Sequence, residues 1–199
     1  MGNESAKSNM RRKDDPLFQR VFCGRGIDIG AGQDNIAREN LFPRITECET
    51  FDLDHGNAQE IARYKSPESY DFVYSSHCLE HLHNPAEALR QWFSLVKPSG
   101  HLIVVVPDED LYEQGVFPSR FNSDHKWTFT LFKPKCSSWS PRSANLISLI
   151  TENLLDFRIL LMRIADTRYD YSVCDVDQTA SWPGAEANIE VVIQKEDLR

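Results

Sequence analysis

The stretch Gly26-Ile-Asp-Ile-Gly-Ala-Gly32 constrains this chain more than any other. It ends a short apolar run with a carboxylate, Asp28, two residues before a Gly-x-Gly turn. Glycines let a chain turn sharply and bring its backbone against a ligand with no Cβ in the way, so the run predicts a strand whose end approaches a nucleoside. An ordinary strand-to-helix turn is the plainer alternative. The dinucleotide fingerprint carries a third glycine, and Gly30-Ala-Gly-Gln-Asp-Asn35 has Asn in its place. Asp28 would repel a pyrophosphate and attract a ligand bearing amine and sulfonium charge.

These residues resemble the class I S-adenosylmethionine (SAM) methyltransferases, whose first motif reads acid-x-Gly-x-Gly. The resemblance implies that the turn Asp28, Ile29, Gly30, Ala31 and Gly32 lies under the methionine part of the cofactor, with the acid acting near its amino group. Glu49-Thr-Phe-Asp-Leu-Asp54 reads as a strand ending in acids, and the family places there an acid that accepts both ribose hydroxyls. A carboxylate suits that task because its two oxygens can take two donors. Asp52, with Leu53 beside it, is the expected position and Asp54 the reserve; solvated acids at a strand end are the alternative. Gly56-Asn57-Ala58 resembles the family's Gly-Asp-Ala segment beside the adenine, with Asn57 offering a carbonyl but no charge.

Tyr70-Asp-Phe-Val-Tyr-Ser-Ser-His-Cys-Leu-Glu-His-Leu82 is a β-branched and aromatic run followed by a polar turn. It resembles the fourth-strand motif of the subgroup ending in Leu-Glu-His and adds Ser76 and His77 to the implied cofactor contacts. Asn84-Pro-Ala-Glu87 has a cap residue, proline at the first helical position and Glu three beyond the cap. Ala88, Leu89, Trp92, Phe93 and Val96 then fall on one helical face, Lys97-Pro-Ser-Gly100 breaks the helix, and Leu102-Ile-Val-Val-Val106 is apolar throughout, as in a strand buried on both faces. Ser143 is a cap for a helix carrying Leu146, Ile147, Ile150 and Leu154. Phe157–Ile164 and Ala187–Ile193 read as strands similar to the antiparallel pair that closes the methyltransferase sheet, joined by a polar surface loop, 166–186. The fold expected is α/β, a Rossmann-like three-layer sandwich with a mostly parallel sheet and a C-terminal antiparallel strand pair.

Only 38 residues separate Gly32 from Asp71, tight for the two strands and connecting helices the family usually places there, so one strand or helix should be shortened or missing. With 199 residues, 41% of them hydrophobic, the material suits one core. The expected organisation is a flexible tail over 1–16 and a single methyltransferase domain over 17–199, with a substrate-loop insertion at about 107–141. The polar opening is no secretory signal, and no apolar run approaches a membrane span. Five cysteines without Cys-x-x-Cys spacing suggest free thiols in a reducing, cytoplasmic setting. A net charge of −8 argues against nucleic acid as the main partner. Oligomeric state is left open.

The insertion mixes aromatics with acids, Arg and His, and leaves the carboxyl end of a strand, the edge where open α/β sheets bind ligands. Arg120 and Trp127 are the candidate acceptor-binding residues. His125 and His81 are the candidate general bases, needed if a hydroxyl acceptor must lose a proton; a structural histidine is the alternative for His81, and Glu80 either orients it or is solvated. No His and carboxylate set has metal-ligand spacing along the chain, so no metal is expected. The function expected is transfer of a methyl group from SAM to a small-molecule or glycan-like acceptor at a hydroxyl. A SAM-binding module without turnover and an NAD-dependent oxidoreductase are the alternatives, the latter disfavoured by the missing third glycine.

Overall fold

The structure, a computed structural model, describes residues 4–197. Its helices are α1 (Glu4–Arg12), α2 (Pro16–Val21), α3 (Pro85–Ser94) and α4 (Leu146–Asn153). Its strands are β1 (Gly24–Ile29), β2 (Ile45–Phe51), β3 (Tyr70–Ser76), β4 (Val96–Pro107), β5 (Thr128–Thr130), β6 (Ser143–Asn145), β7 (Phe157–Ala165) and β8 (Asn188–Lys195). Six of them form one sheet in the order β2-β1-β3-β4-β8-β7, and β5 pairs in parallel with β6. Strands β1 to β4 are mutually parallel, and β8 runs antiparallel between β4 and β7. The α/β expectation with its closing antiparallel pair is met.

Side chains alternate across a strand, and β4 shows what that dictates when both faces are covered. Leu102, Val104 and Val106 join a core with Trp92, Leu89 and Ala88 of α3 and with Leu146 and Ile150 of α4. Ile103 and Val105 face the other way, into a core with Phe18 and Val21 of α2, Phe22, Phe72 and Tyr74. Helix, sheet and helix make three layers. Asn84 caps α3 as its sequence implies, accepting from the Glu87 N–H at 3.2 Å. Val96 falls beyond that helix, as the first residue of β4. Asn145, not Ser143, caps α4, and Ile147 is exposed. Ser143 instead opens β6, where the pairing with β5 claims it.

The charged opening segment is not a tail. It forms α1, Asp15 caps α2, and Ser8, Asn9 and Arg12 are buried. Residues 1–3 of that expectation lie outside the described residues. Charge misled the sequence reading because the partners are remote: Arg11 binds Glu186 and Glu190, while Arg12 lies between Glu190 and the Tyr74 hydroxyl.

The tight Gly32–Asp71 segment is shortened as expected. It holds one strand, β2, and no α-helix: residues 31–40 run through turns, and 3-10 turns at Leu53–His55 and Ala58–Arg63 lead to β3. The expected insertion is more ordered than a loop, with a π-turn at Glu109–Glu113, strand β5, and Phe129 and Leu131 in the core. No described helix is long and apolar enough to cross a membrane.

Candidate active site

Strands β1 to β4 all end on one edge, and the chain leaves β1 for one side and β3 for the other, the switch point where open α/β sheets bind ligands. The glycine turn lies there, fastened to β2. Gly30 donates to the Phe51 carbonyl at 2.8 Å and Gly32 to Asp52 Oδ2 at 2.6 Å. Both glycines have positive φ, +79° and +54°. A Cβ on Gly30 would lie 2.6 Å from the Cβ of Cys78, so that glycine lets the turn close on the chain leaving β3. A Cβ on Gly32 would meet only Asp52 Oδ2, at 3.8 Å, so Gly32 presents bare backbone on an open face. A cradle of that kind fits a cofactor lying against main chain.

Asp28 does not face solvent. It is 1% exposed, and its Oδ2 accepts the Ile36 N–H at 2.8 Å, tying the returning chain to the end of β1. Burial pushes its carboxyl up to about 8 against the pull of that hydrogen bond, with Asp34 and Asp52 adding to the rise. Burial thus favours the neutral carboxyl over the carboxylate and weakens the charge attraction expected toward a ligand amine. Ile29 is a core side chain, and Ala31 is half-buried beside the open glycine. Asn35, at the position of the absent third glycine, donates to Thr50 Oγ1 at 2.9 Å, and no helix follows whose N-terminus could take a pyrophosphate.

Asp52 joins the glycine turn to the next element. One carboxylate oxygen accepts Gly32 N–H, and the other accepts Leu53 N–H at 2.7 Å. The side chain also takes the His55 N–H in a capping box, and the carboxylate still keeps a lone pair for a further donor. Leu53 is 89% exposed, a large apolar side chain at the rim of the cradle. Asp54 is exposed in the same 3-10 turn. Asn57 uses its carbonyl as a cap for Gln59 N–H at 3.0 Å, and the Ala58 carbonyl accepts the Trp92 indole at 2.8 Å. Ser76 Oγ meets His77 Nδ1 at 3.0 Å, and His77 Nε2 meets Asn188 Oδ1 at 2.9 Å, so this histidine links the end of β3 to the start of β8.

The turn Leu79–His81 and the insertion meet beside this edge. The Glu80 carbonyl accepts the N–H groups of Lys126, at 2.8 Å, and Trp127, at 3.2 Å, which clamps His125 against Glu80. The imidazoles of His81 and His125 lie edge to face with centroids 4.9 Å apart. His125 is buried, with Nδ1 2.6 Å from Glu113 Oε1; His81 is more open, with Nδ1 2.9 Å from Asp124 Oδ2. Glu80 is not solvated: it is fully buried. Trp127 packs partly on the core and donates to the His83 carbonyl at 3.2 Å. Arg120 pairs with Asp175 of the 166–186 connection at 2.8 Å. Sequence reasoning missed Glu113 and Asp124. Asp124 adjoins His125, but nothing in the spacing marks Glu113.

A family model described as a methyltransferase domain matches residues 6–147. No curated protein sequence matches the chain. Among solved structures it resembles the YcgJ protein of Bacillus subtilis at 14% identity, with a TM-score of 0.57 and coverage of 94% of this chain and 99% of that one. A SAM-dependent methyltransferase from Archaeoglobus fulgidus shares 16% identity at a TM-score of 0.57, covering 97% and 94%. One from Mesorhizobium loti shares 11% at 0.54, covering 92% and 98%. At such identities the structures establish the shared fold, and the family model, which begins inside α1, establishes the relationship. The chain belongs to the methyltransferase-domain family, the class I S-adenosylmethionine-dependent enzymes.

Proposed function

We propose that this methyltransferase acts on a hydroxyl of a small-molecule or glycan-like acceptor. The observation that supports it is the cluster of Glu80, His81 and His125 at the carboxyl edge of the sheet, since a hydroxyl must shed a proton to become an effective nucleophile. When bound, SAM supplies a methyl carbon activated by its sulfonium. Backbone at Gly30 to Gly32 and the Asp52 carboxylate would hold it, with Leu53 covering the adenine and Asn57, Ala58, Ser76 and His77 lining the segments around it. Asp28 acts from behind by fixing Ile36. The protein's main task is alignment and exclusion of water. The cluster would be where the acceptor's O–H loses its proton, which would pass to solvent through the open side at His81 and leave the oxygen ready for the methyl group that bound SAM would supply. Trp127 and Arg120 are the acceptor-facing residues of the 107–141 segment. We place the domain over the described chain as a whole, α1 included.

Thermal shift and mass spectrometry test this together. A ligand at a hundredfold excess over its Kd stabilises the folded state by about 2.7 kcal/mol, so SAM and its demethylated product should raise Tm and NAD should not. Asp52→Asn should weaken SAM by about tenfold to a hundredfold, from charge-assisted bonds of roughly 1.5–3 kcal/mol, with Asp54→Asn costing much less. A panel of hydroxyl, amine and thiol acceptors should show mass gain on hydroxyls. Mass gain confined to amines or thiols would overturn the acceptor assignment.

A further inference from the structure

Glu80 is a buried carboxyl group: its side chain is 1% exposed, yet among the described residues neither carboxylate oxygen has a hydrogen-bond partner. A buried carboxylate in that condition is among the most costly arrangements a fold can hold. What faces it are two imidazoles: His81 Nε2 lies 3.8 Å and His125 Nε2 3.9 Å from Glu80 Oε1. Both rings have Nδ1 on a carboxylate, His81 on Asp124 and His125 on Glu113. A neutral ring that donates from Nδ1 carries a lone pair on Nε2. Three electron-pair donors are therefore brought together, their ligand atoms all within 4.8 Å of one another.

We infer that Glu80, His81 and His125 bind a divalent first-row transition-metal ion. The separations distinguish an ion from a bare proton. An imidazolium bonded to Glu80 would close to about 2.7–3.2 Å, well short of the gaps seen. Ligands of a tetrahedral zinc, at about 2.0–2.2 Å from the metal, stand about 3.3–3.6 Å apart, so each Glu80–histidine gap would have to close by roughly half an ångström. Two imidazoles with one carboxylate suit zinc, cobalt, iron or manganese, whereas magnesium and calcium prefer oxygen alone. Glu113 and Asp124 occupy the orienting role that carboxylates take behind metal-bound histidines. The fold fixes the geometry by backbone, through the Lys126 and Trp127 N–H bonds to the Glu80 carbonyl.

Three protein ligands leave a coordination position free, and the His81 side chain, 27% exposed, marks the open side. Resting on the hydroxyl-acceptor reading above, that position takes the acceptor oxygen: the ion lowers the hydroxyl's pKa, the proton leaves to water, and neither histidine acts as a base.

The test uses the full chain, stripped with EDTA and titrated with Co²⁺ and Zn²⁺ in the absence of SAM and acceptor. One equivalent should bind, with visible d–d absorption for Co²⁺. His81→Ala, His125→Ala and Glu80→Gln should each weaken binding at least tenfold, Glu113→Gln about tenfold to a hundredfold, and His83→Ala not at all. Should Glu80→Gln or His125→Ala fail to fold, the wild-type cobalt spectrum and His81→Ala, at the open side, decide the matter. No cobalt spectrum from folded wild-type protein, or one unchanged in His81→Ala, overturns the site. Metal binding without methylation of any hydroxyl would sink the acceptor reading and leave the site standing; methylation by an EDTA-stripped chain would do the opposite for the ion's role.

Discussion

At the residue scale, two glycines and one aspartate carry separable tasks. Gly30 is structural: Val there would overlap Cys78 and sit at φ +79°, at a cost of roughly 2–5 kcal/mol. Gly32→Ala meets only the left-handed penalty of about 1–2 kcal/mol, and its new methyl would occupy the open cradle. Gly32→Ala should therefore stay folded yet lose the SAM-induced shift in Tm, whereas Gly30→Val should lower Tm with no ligand present. If the Gly32→Ala variant keeps full SAM affinity by calorimetry, Gly32 is removed from the cofactor site. Asp28 predicts a pH dependence of definite sign. Its folded pKa of about 8 stands above the ordinary value of 3.8, so between those limits the folded protein binds the extra proton. Stability then falls as pH rises through that window, by up to roughly 1.4 kcal/mol per unit. Asp28→Asn keeps an acceptor for Ile36 N–H and cannot ionise, so urea unfolding at pH 5 and pH 8 should show this variant gaining on wild type at the higher pH. A constant difference would mean the buried carboxyl does not titrate there.

At the element scale, what the sequence made legible was local. The glycine turn, the Asn84 cap and the apolar β4 are each written within a dozen residues, and the structure keeps them. The α3 face ended one turn early because β4 claims Val96, a tertiary preference that helical periodicity cannot register. The missing helix after β1 was readable only as a shortage of residues. The cluster at Glu80 was not readable: His125 arrives from 44 residues beyond His81, brought back by β5 pairing with β6 and by the clamp on the Glu80 carbonyl. Ligand spacing along a chain finds sites carried by one hairpin or helix, and this set is assembled by two separate connections. The insertion also buries Glu109, held by Thr128, Ser138 and Ser143, so this acid is an interior group rather than part of a solvated rim.

At the scale of the whole molecule, the decisive relation is between the first helix and the last strand. Glu190 of β8 is fully buried, and although burial pushes its carboxyl up, Arg12 and Arg11 of α1, with Arg163 of β7, bring it down to about 2. Around this centre α1 also places Ser8 on Glu186 at 2.6 Å and its Ala6 N–H on Asp34 at 3.2 Å, so the helix spans from the glycine turn to the antiparallel pair. A chain lacking residues 1–13 would leave Glu190 with Arg163 as its remaining cation and would uncover Tyr74. Removing one partner of a buried pair costs about 3–5 kcal/mol. For a domain of this size that lowers Tm by roughly 6–20 °C. A dispensable tail predicts no change, so calorimetry on the truncated chain separates the two outcomes. The charge contribution has its own signature in acid. Because the folded pKa lies below the ordinary value of 4.5, the stability Glu190 contributes is present above about 4.5 and lost as pH falls toward about 2. Glu190→Gln in the full chain should be less stable than wild type at neutral pH and should lose less on acidification. If wild type and this variant fall in parallel from pH 5 to pH 2, Glu190 is not the group that couples α1 to the sheet.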